Sequence, residues 1–260
     1  MVFLNPFDGA RTKLERAREL LVELSRLESA FVGENPLTLE FERQDSGDTV
    51  VFAVIKALPP PRLSAVVGDI LGAMRASLDI GVCQACIARG QTDQKLVEKS
   101  SFLFAGNERD WDNQVKGRMQ GADQEIRSLV KSFKPWRDGG NGHLYSLSKL
   151  AAKDKHLDLV PIGLRPRELT IDQIAVTRDD GLGVGIQAVM PQWGRVEKVE
   201  LLRVLAPGRV ESIGSGRLSA RLGFALSAPA MGGQPVVTTL HNIGHFCVKA
   251  VDALEELSRK

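Results

Sequence analysis

Six residues combine types and spacings that could move protons or hold a phosphate. Arg75 and Asp79 stand four apart, so on a helix they share a face, and Asp69 precedes them. The second set is Asp154-Lys155-His156. His156 has a side chain that titrates near neutrality, which suits general acid/base work, and Arg75 or Lys155 would supply a cation for a phosphate. The same residues have a plainer use. Isolated charges in an apolar helix must be paired or face water, because an unpaired buried charge costs several kcal/mol. Arg75 therefore calls for a carboxylate, either Asp79 or Asp154, in an ion-pair network that fixes how two helices dock. This structural use is the favoured reading. Catalysis by His156, Arg75, Asp79, Asp154 and Lys155 is the alternative.

Cys83 and Cys86 with His241 and His245 form a Cys₂His₂ set by type. The cysteines lie one turn apart inside an apolar segment, where cysteine behaves as a small hydrophobe, and the histidines fall opposite Leu240, Ile243 and Cys247. The expectation is no metal and no cofactor. No strand feeds the Cys-x-x-Cys and no helix begins at it, which argues against a thioredoxin-like redox role. Gly181-Leu182-Gly183-Val184-Gly185 has no Lys-Ser/Thr after it and leads into no helix, so the phosphate-loop and dinucleotide fingerprints fail. Ile213-Gly214-Ser215-Gly216 reads as a hairpin turn.

The elements that must position these groups follow from periodicity. Residues 8–30 form an amphipathic helix through Leu14, Ala17, Leu20, Leu21, Leu24 and Leu27. Alternating runs at 37–43 and 49–57, split by Gln-Asp-Ser-Gly-Asp, predict a hairpin. Residues 63–88 carry only Asp69, Arg75 and Asp79 as charges, with an apolar stripe through Leu63, Val67, Ile70, Leu71, Met74 and Leu78. Gly68, Gly72 and Ala76 recur every four residues on another face, a spacing that permits close approach of a second helix. This helix is expected at the centre of a bundle. Residues 102–104 suggest a strand, and weaker helices are expected at 109–117, 120–133 and 143–157. Runs at 171–177, 182–189, 196–204 and 217–226 predict an antiparallel sheet, closed by a helix over 240–257. The fold class is α+β: a helical bundle with a small hairpin over 1–160, then a β region with a C-terminal helix over 161–260, separate or packed as one unit.

Composition excludes several functions. Residues 1–160 carry 22 basic and 22 acidic side chains and 161–260 carry 12 and 10, so neither half holds nucleic acid by bulk charge. With 10 Phe, 3 Trp and 1 Tyr there is no stacking platform for single strands. No uninterrupted apolar run reaches the roughly 18 residues of a membrane span. The N-terminus lacks a basic region and meets Pro6 and Asp8 early, unlike a signal peptide. Three cysteines make no disulfide framework, and a cytoplasmic protein with reduced thiols is expected.

Two stretches resemble a known family. Pro60-Pro61 leading to Gly68-Asp69-Ile70-Leu71 and Met74-Arg75-Ala76-Ser77-Leu78-Asp79 resembles the "GD-x-L-H-N-L-R-S-A-L-D-H" signature of a bacterial and phage family of hypothetical proteins. Leu147 through Asp154-Lys155-His156 resembles its "L-x-x-L-x-x-x-DKH-R", and Phe133-Lys134-Pro135-Trp136 stands where it has "Q-P-Y". The resemblance covers roughly 50–160 and implies a shared helical core without a shared activity. The family's His-Asn is Gly72-Ala73 here, its second His is Ile80, and its final Arg is Leu157. Lys153-Asp154-Lys155-His156 is also loosely similar to the Arg-x4–6-His motif of HEPN-type ribonucleases, without the Arg at that spacing. The favoured function is a non-enzymatic binding or assembly protein with a protein partner or a second copy of itself. The alternative is a HEPN-like, metal-independent ribonuclease, with RNA as its partner, or a nucleotide-processing protein of a toxin or defence system, using His156.

Overall fold

The computed structural model describes residues 6–156, 160, 162–171, 174–177, 186–188, 198–205, 209–213, 216–224 and 231–260; residues 153–156, 165–171, 174–177, 186–188, 209–213 and 216–220 are described by backbone alone. The chain is α+β.

Helix α1 spans Asp8–Gly33 and buries Ala10, Ala17, Leu20, Leu24 and Phe31, the 3.6-period stripe its sequence carries. The chain leaves it through Asn35 at φ 51°. Strands β1 (Leu37–Arg43) and β2 (Thr49–Ile55) pair antiparallel, Leu37 opposite Ile55 and Arg43 opposite Thr49. Gly47, at φ 87°, makes the reversal, donating its N–H to the Gln44 carbonyl at 2.9 Å.

Helix α2 spans Pro61–Ala88, with proline in its first turn where no N–H is missed. It is the central helix and contacts α1 along its length. An added Cβ at Gly9 would sit 3.6 Å from Ile80 Cγ2, and Arg62 donates to Glu23 at 2.8 Å, so the two run antiparallel. After α2 come α3 (Gln94–Glu98), α4 (Glu108–Arg118), α5 (Gln124–Ser132) and α6 (Gly142–His156). Asp93, Asn107 and Asp123 cap α3, α4 and α5 with their side chains, and the Asn141 side chain accepts from the first N–H groups of α6.

Residues 102–104 form no strand, against expectation. Side chains, not a neighbouring strand, take three of their backbone groups. Asp79 takes the Phe102 N–H, Arg75 donates to the Phe102 carbonyl, and Trp111 Nε1 donates to the Leu103 carbonyl at 3.2 Å.

The remaining elements are β3 (Ile162–Ile171), β4 (Ile174–Thr177), β5 (Ile186–Ala188), β6 (Lys198–Val204), β7 (Arg209–Ile213), β8 (Gly216–Phe224) and α7 (Val236–Ser258). Strand β6 pairs with β2, giving the order β1-β2-β6-β5, so the N-terminal hairpin shares one sheet with β5 and β6. Strands β3 and β4 pair with β8 and β7. Ile171 opposite Gly216 and Ile174 opposite Ile213 keep the same register, so β7 and β8 follow one another along a single ribbon. The hairpin expected at 213–216 is therefore absent among the described residues: the two strands pair with β4 and β3, not with each other. Residues 181–185, with their glycines, lie outside the described residues.

Helix α7 docks beside α2 and also contacts α1 and α6. It runs parallel to α2. An added Cβ at Gly244 would lie 3.0 Å from Met74 Cε and one at Gly81 3.4 Å from Leu254 Cδ1, while Arg89 Nη1 donates to the Leu257 carbonyl at 3.2 Å. One apolar core joins Phe7 and Leu24 of the N-terminal part to Leu222, Leu240 and Leu254 of the C-terminal part. Helix α2 is the one helix among the described residues long and apolar enough to cross a membrane, and half of its most apolar stretch is buried against these neighbours.

The small-residue face of α2 is buried at Gly68 but open at Gly72. Gly72 is exposed, and an added Cβ there would meet nothing within 4 Å. Close approach to α1 and α7 falls at Gly9, Gly81 and Gly244, and Gly72 is left facing open space.

Candidate functional site

Arg75 and Asp79 pair within α2, Nε to Oδ2 at 2.9 Å. Of the two carboxylates the sequence offered to Arg75, Asp79 takes it. The pair then reaches outward together. Asp79 Oδ1 accepts the Phe102 N–H at 2.9 Å, Arg75 Nη2 donates to the Phe102 carbonyl at 3.2 Å, and the guanidinium carbon stands 4.2 Å from the centre of the Phe104 ring. The expected network between α2 and the second signature helix is thus, among the described residues, a clamp between α2 and the loop 101–105. A planar guanidinium that bonds through its edge and stacks through its face suits arginine and not lysine.

Beside this clamp runs an open groove of about 670 Å³. Its floor is Gly68, Gly72, Ala73 and Ala76 of α2, its walls carry Lys13 and Arg16 of α1 and Ala151 of α6, and Asp69 and Asp79 line it as well. Lys13 and Arg16 escape sequence reasoning because they belong to the charged, outward side of an amphipathic helix. Only the antiparallel packing of α1 on α2 brings them to the groove that Asp69 also lines. The backbone of α6 carries positions 154–156 through its last turn. The side chains of Asp154, Lys155 and His156 lie outside the described residues.

The four zinc-type residues are not brought together. His245 stands next to Gly244, level with Met74, whereas Cys83 and Cys86 are nine and twelve residues further along α2, roughly 13 to 18 Å at 1.5 Å per residue. His241 and His245 are exposed. No cluster of three His, Cys, Asp or Glu suited to a metal exists among the described residues. The Cys83 sulfur lies 3.2 Å from the Ser100 carbonyl and 3.4 Å from that of Val97, within reach of its S–H. Burial raises the Cys83 thiol above its ordinary value and pushes Cys86 up to about 11, which suppresses the thiolate that redox chemistry requires.

No family model, no curated protein and no solved structure matches the chain.

Proposed function

We propose that the chain is a non-enzymatic binding or assembly protein of the cytoplasm, of the bacterial and phage family its signature resembles, and that it engages a protein partner or a second copy of itself through the groove beside α2. The observation that carries this reading is the engagement of Arg75 by its own helix and the loop beside it. Its Nε serves Asp79 at 2.9 Å, its Nη2 serves the Phe102 carbonyl at 3.2 Å, and its face lies over Phe104 at 4.2 Å. An arginine held on two sides in this way supports a role in the fold over one in binding phosphate. The groove supplies what binding needs: a concave surface of about 670 Å³ with a narrow floor and charges of both signs on its walls.

The test sets this reading against the ribonuclease. Purified protein is incubated with single-stranded and structured RNA without divalent cations, beside the His156→Ala variant. The binding reading expects the same intact RNA from both. RNA cleaved by the wild type and spared by a folded His156→Ala variant overturns it in favour of the HEPN-like alternative.

A further inference from the structure

Helix α7 carries His241 and His245 four residues apart. Four residues turn an α-helix by about 400° and advance it by about 6 Å, so the two side chains stand one above the other, about 40° apart around the axis. Both lie on the exposed side of α7, opposite Ile243, Cys247 and Ala250, which are buried. The helix runs from Val236 to Ser258 and docks beside α2, so the core holds the spacing and the histidines do not have to.

Among the described residues neither imidazole makes an ion pair or a hydrogen bond. His245 meets the Phe246 ring edge-on, with centroids 6.2 Å apart. His143 is engaged differently: its ring stacks on Phe246 at 5.7 Å, and its Nδ1 is sealed from water. A neutral imidazole offers one nitrogen lone pair, which zinc, nickel and copper ions accept readily. Two histidines at i and i+4 on one helix face is the spacing that zinc-binding helices use. Once the first nitrogen holds the ion, the second is already beside it and adds without a second encounter. Lys249, a turn beyond His245, is exposed, and a long exposed side chain keeps its charge in water.

We infer that His241 and His245 form a chelate for one divalent ion of the zinc, nickel and copper class, with water completing its coordination. Two protein nitrogens are fewer than the four ligands of a structural zinc site, so the ion is exchangeable and the fold does not depend on it. Hard ions such as magnesium prefer oxygen ligands and are refused. Cys83 and Cys86 lie too far along α2 to join. The groove beside α2 takes no lining residue from α7, so this site stands apart from the proposed function.

The full chain, free of any histidine tag, is titrated with nickel, zinc and magnesium chlorides in a non-chelating buffer, by calorimetry and by thermal melting. Nickel and zinc should each bind at one ion per chain and raise the melting temperature, and magnesium should do neither. His241→Asn and His245→Asn should each weaken binding by about tenfold or more, through loss of the chelate. Both positions are exposed, so the two variants should melt like the wild type without metal. His143→Asn and His156→Asn should leave the affinity unchanged. In denaturing urea the wild type should bind no better than the single variants, because an unfolded chain does not hold the two imidazoles one above the other. The proposal is overturned by a nickel and zinc response no larger than that of magnesium, or by either H241N or H245N binding like the wild type. It is also overturned if H143N or H156N weakens binding as much as H241N, or if wild-type affinity is the same in urea.

Discussion

Arg75 and Asp79 grip a single residue from both sides: Asp79 accepts the Phe102 N–H at 2.9 Å and Arg75 donates to the Phe102 carbonyl at 3.2 Å. The loop so held carries Phe102 and Leu103, both buried, into the core. One helical turn thus does for this loop what a neighbouring strand would otherwise do.

Removal of either partner leaves the other with an unmet charge and frees the loop. Asp79→Ala and Arg75→Ala are each expected to destabilise the protein by about 1–3 kcal/mol, and the double variant by less than the sum. Urea unfolding of the four proteins of the cycle measures the coupling. Additive losses would show that the clamp does not act as a unit.

Two glycines should respond in opposite directions. Gly72 lies within α2 facing open groove, so Gly72→Ala is expected to stabilise by about 0.5–1 kcal/mol through helix propensity. At Gly140 an added Cβ would fall 2.3 Å from the Trp136 carbonyl oxygen and 2.6 Å from that of Lys134. Both are backbone atoms that cannot swing aside. Gly140→Ala should cost more than Gly72→Ala contributes, and thermal melting of the two variants decides it.

The buried thiols predict both slow chemistry and a pH limit. Burial pushes Cys86 up to about 11 and Cys247 up to about 12, from an ordinary 9.0. At pH 8 native protein should therefore react with a thiol reagent far more slowly than unfolded protein, as rate measurements with and without denaturant will show. The thiol is the favoured form in the fold, so these groups' stabilisation is complete below about pH 9. It falls away as pH rises from about 9 toward 12, where the unfolded chain ionises first.

Glu28 distinguishes an acceptor from a charge. Its carboxylate takes the Leu222 N–H at 2.7 Å, and burial raises its pKa above the ordinary carboxylate value. Glu28→Gln keeps an acceptor without the desolvated charge and should be tolerated at pH 7. Glu28→Ala strands the Leu222 N–H and should cost about 1–3 kcal/mol by chemical denaturation. Equal losses for both variants would show that the charge, not the hydrogen bond, holds β8 to α1.

The order of the longer helices, the first hairpin, the central position of α2 and the shared helix face of Arg75 and Asp79 were legible in the sequence, because each rests on local spacing: 3.6-residue stripes, period-two alternation, a Gly-Asp turn and an i, i+4 pair; the short α3 and the choice of Asp79 over Asp154 were not. Local spacing is silent about partners far along the chain. It could not say that 102–104 would give its hydrogen bonds to α2 side chains, that β7 and β8 would run on along one ribbon, or that β6 would join the N-terminal hairpin. Nor could it show that α7 would run parallel to α2 and leave the Gly72 face open. Those outcomes depend on which apolar faces bury one another and which backbone groups then need partners, and only the folded chain settles that competition.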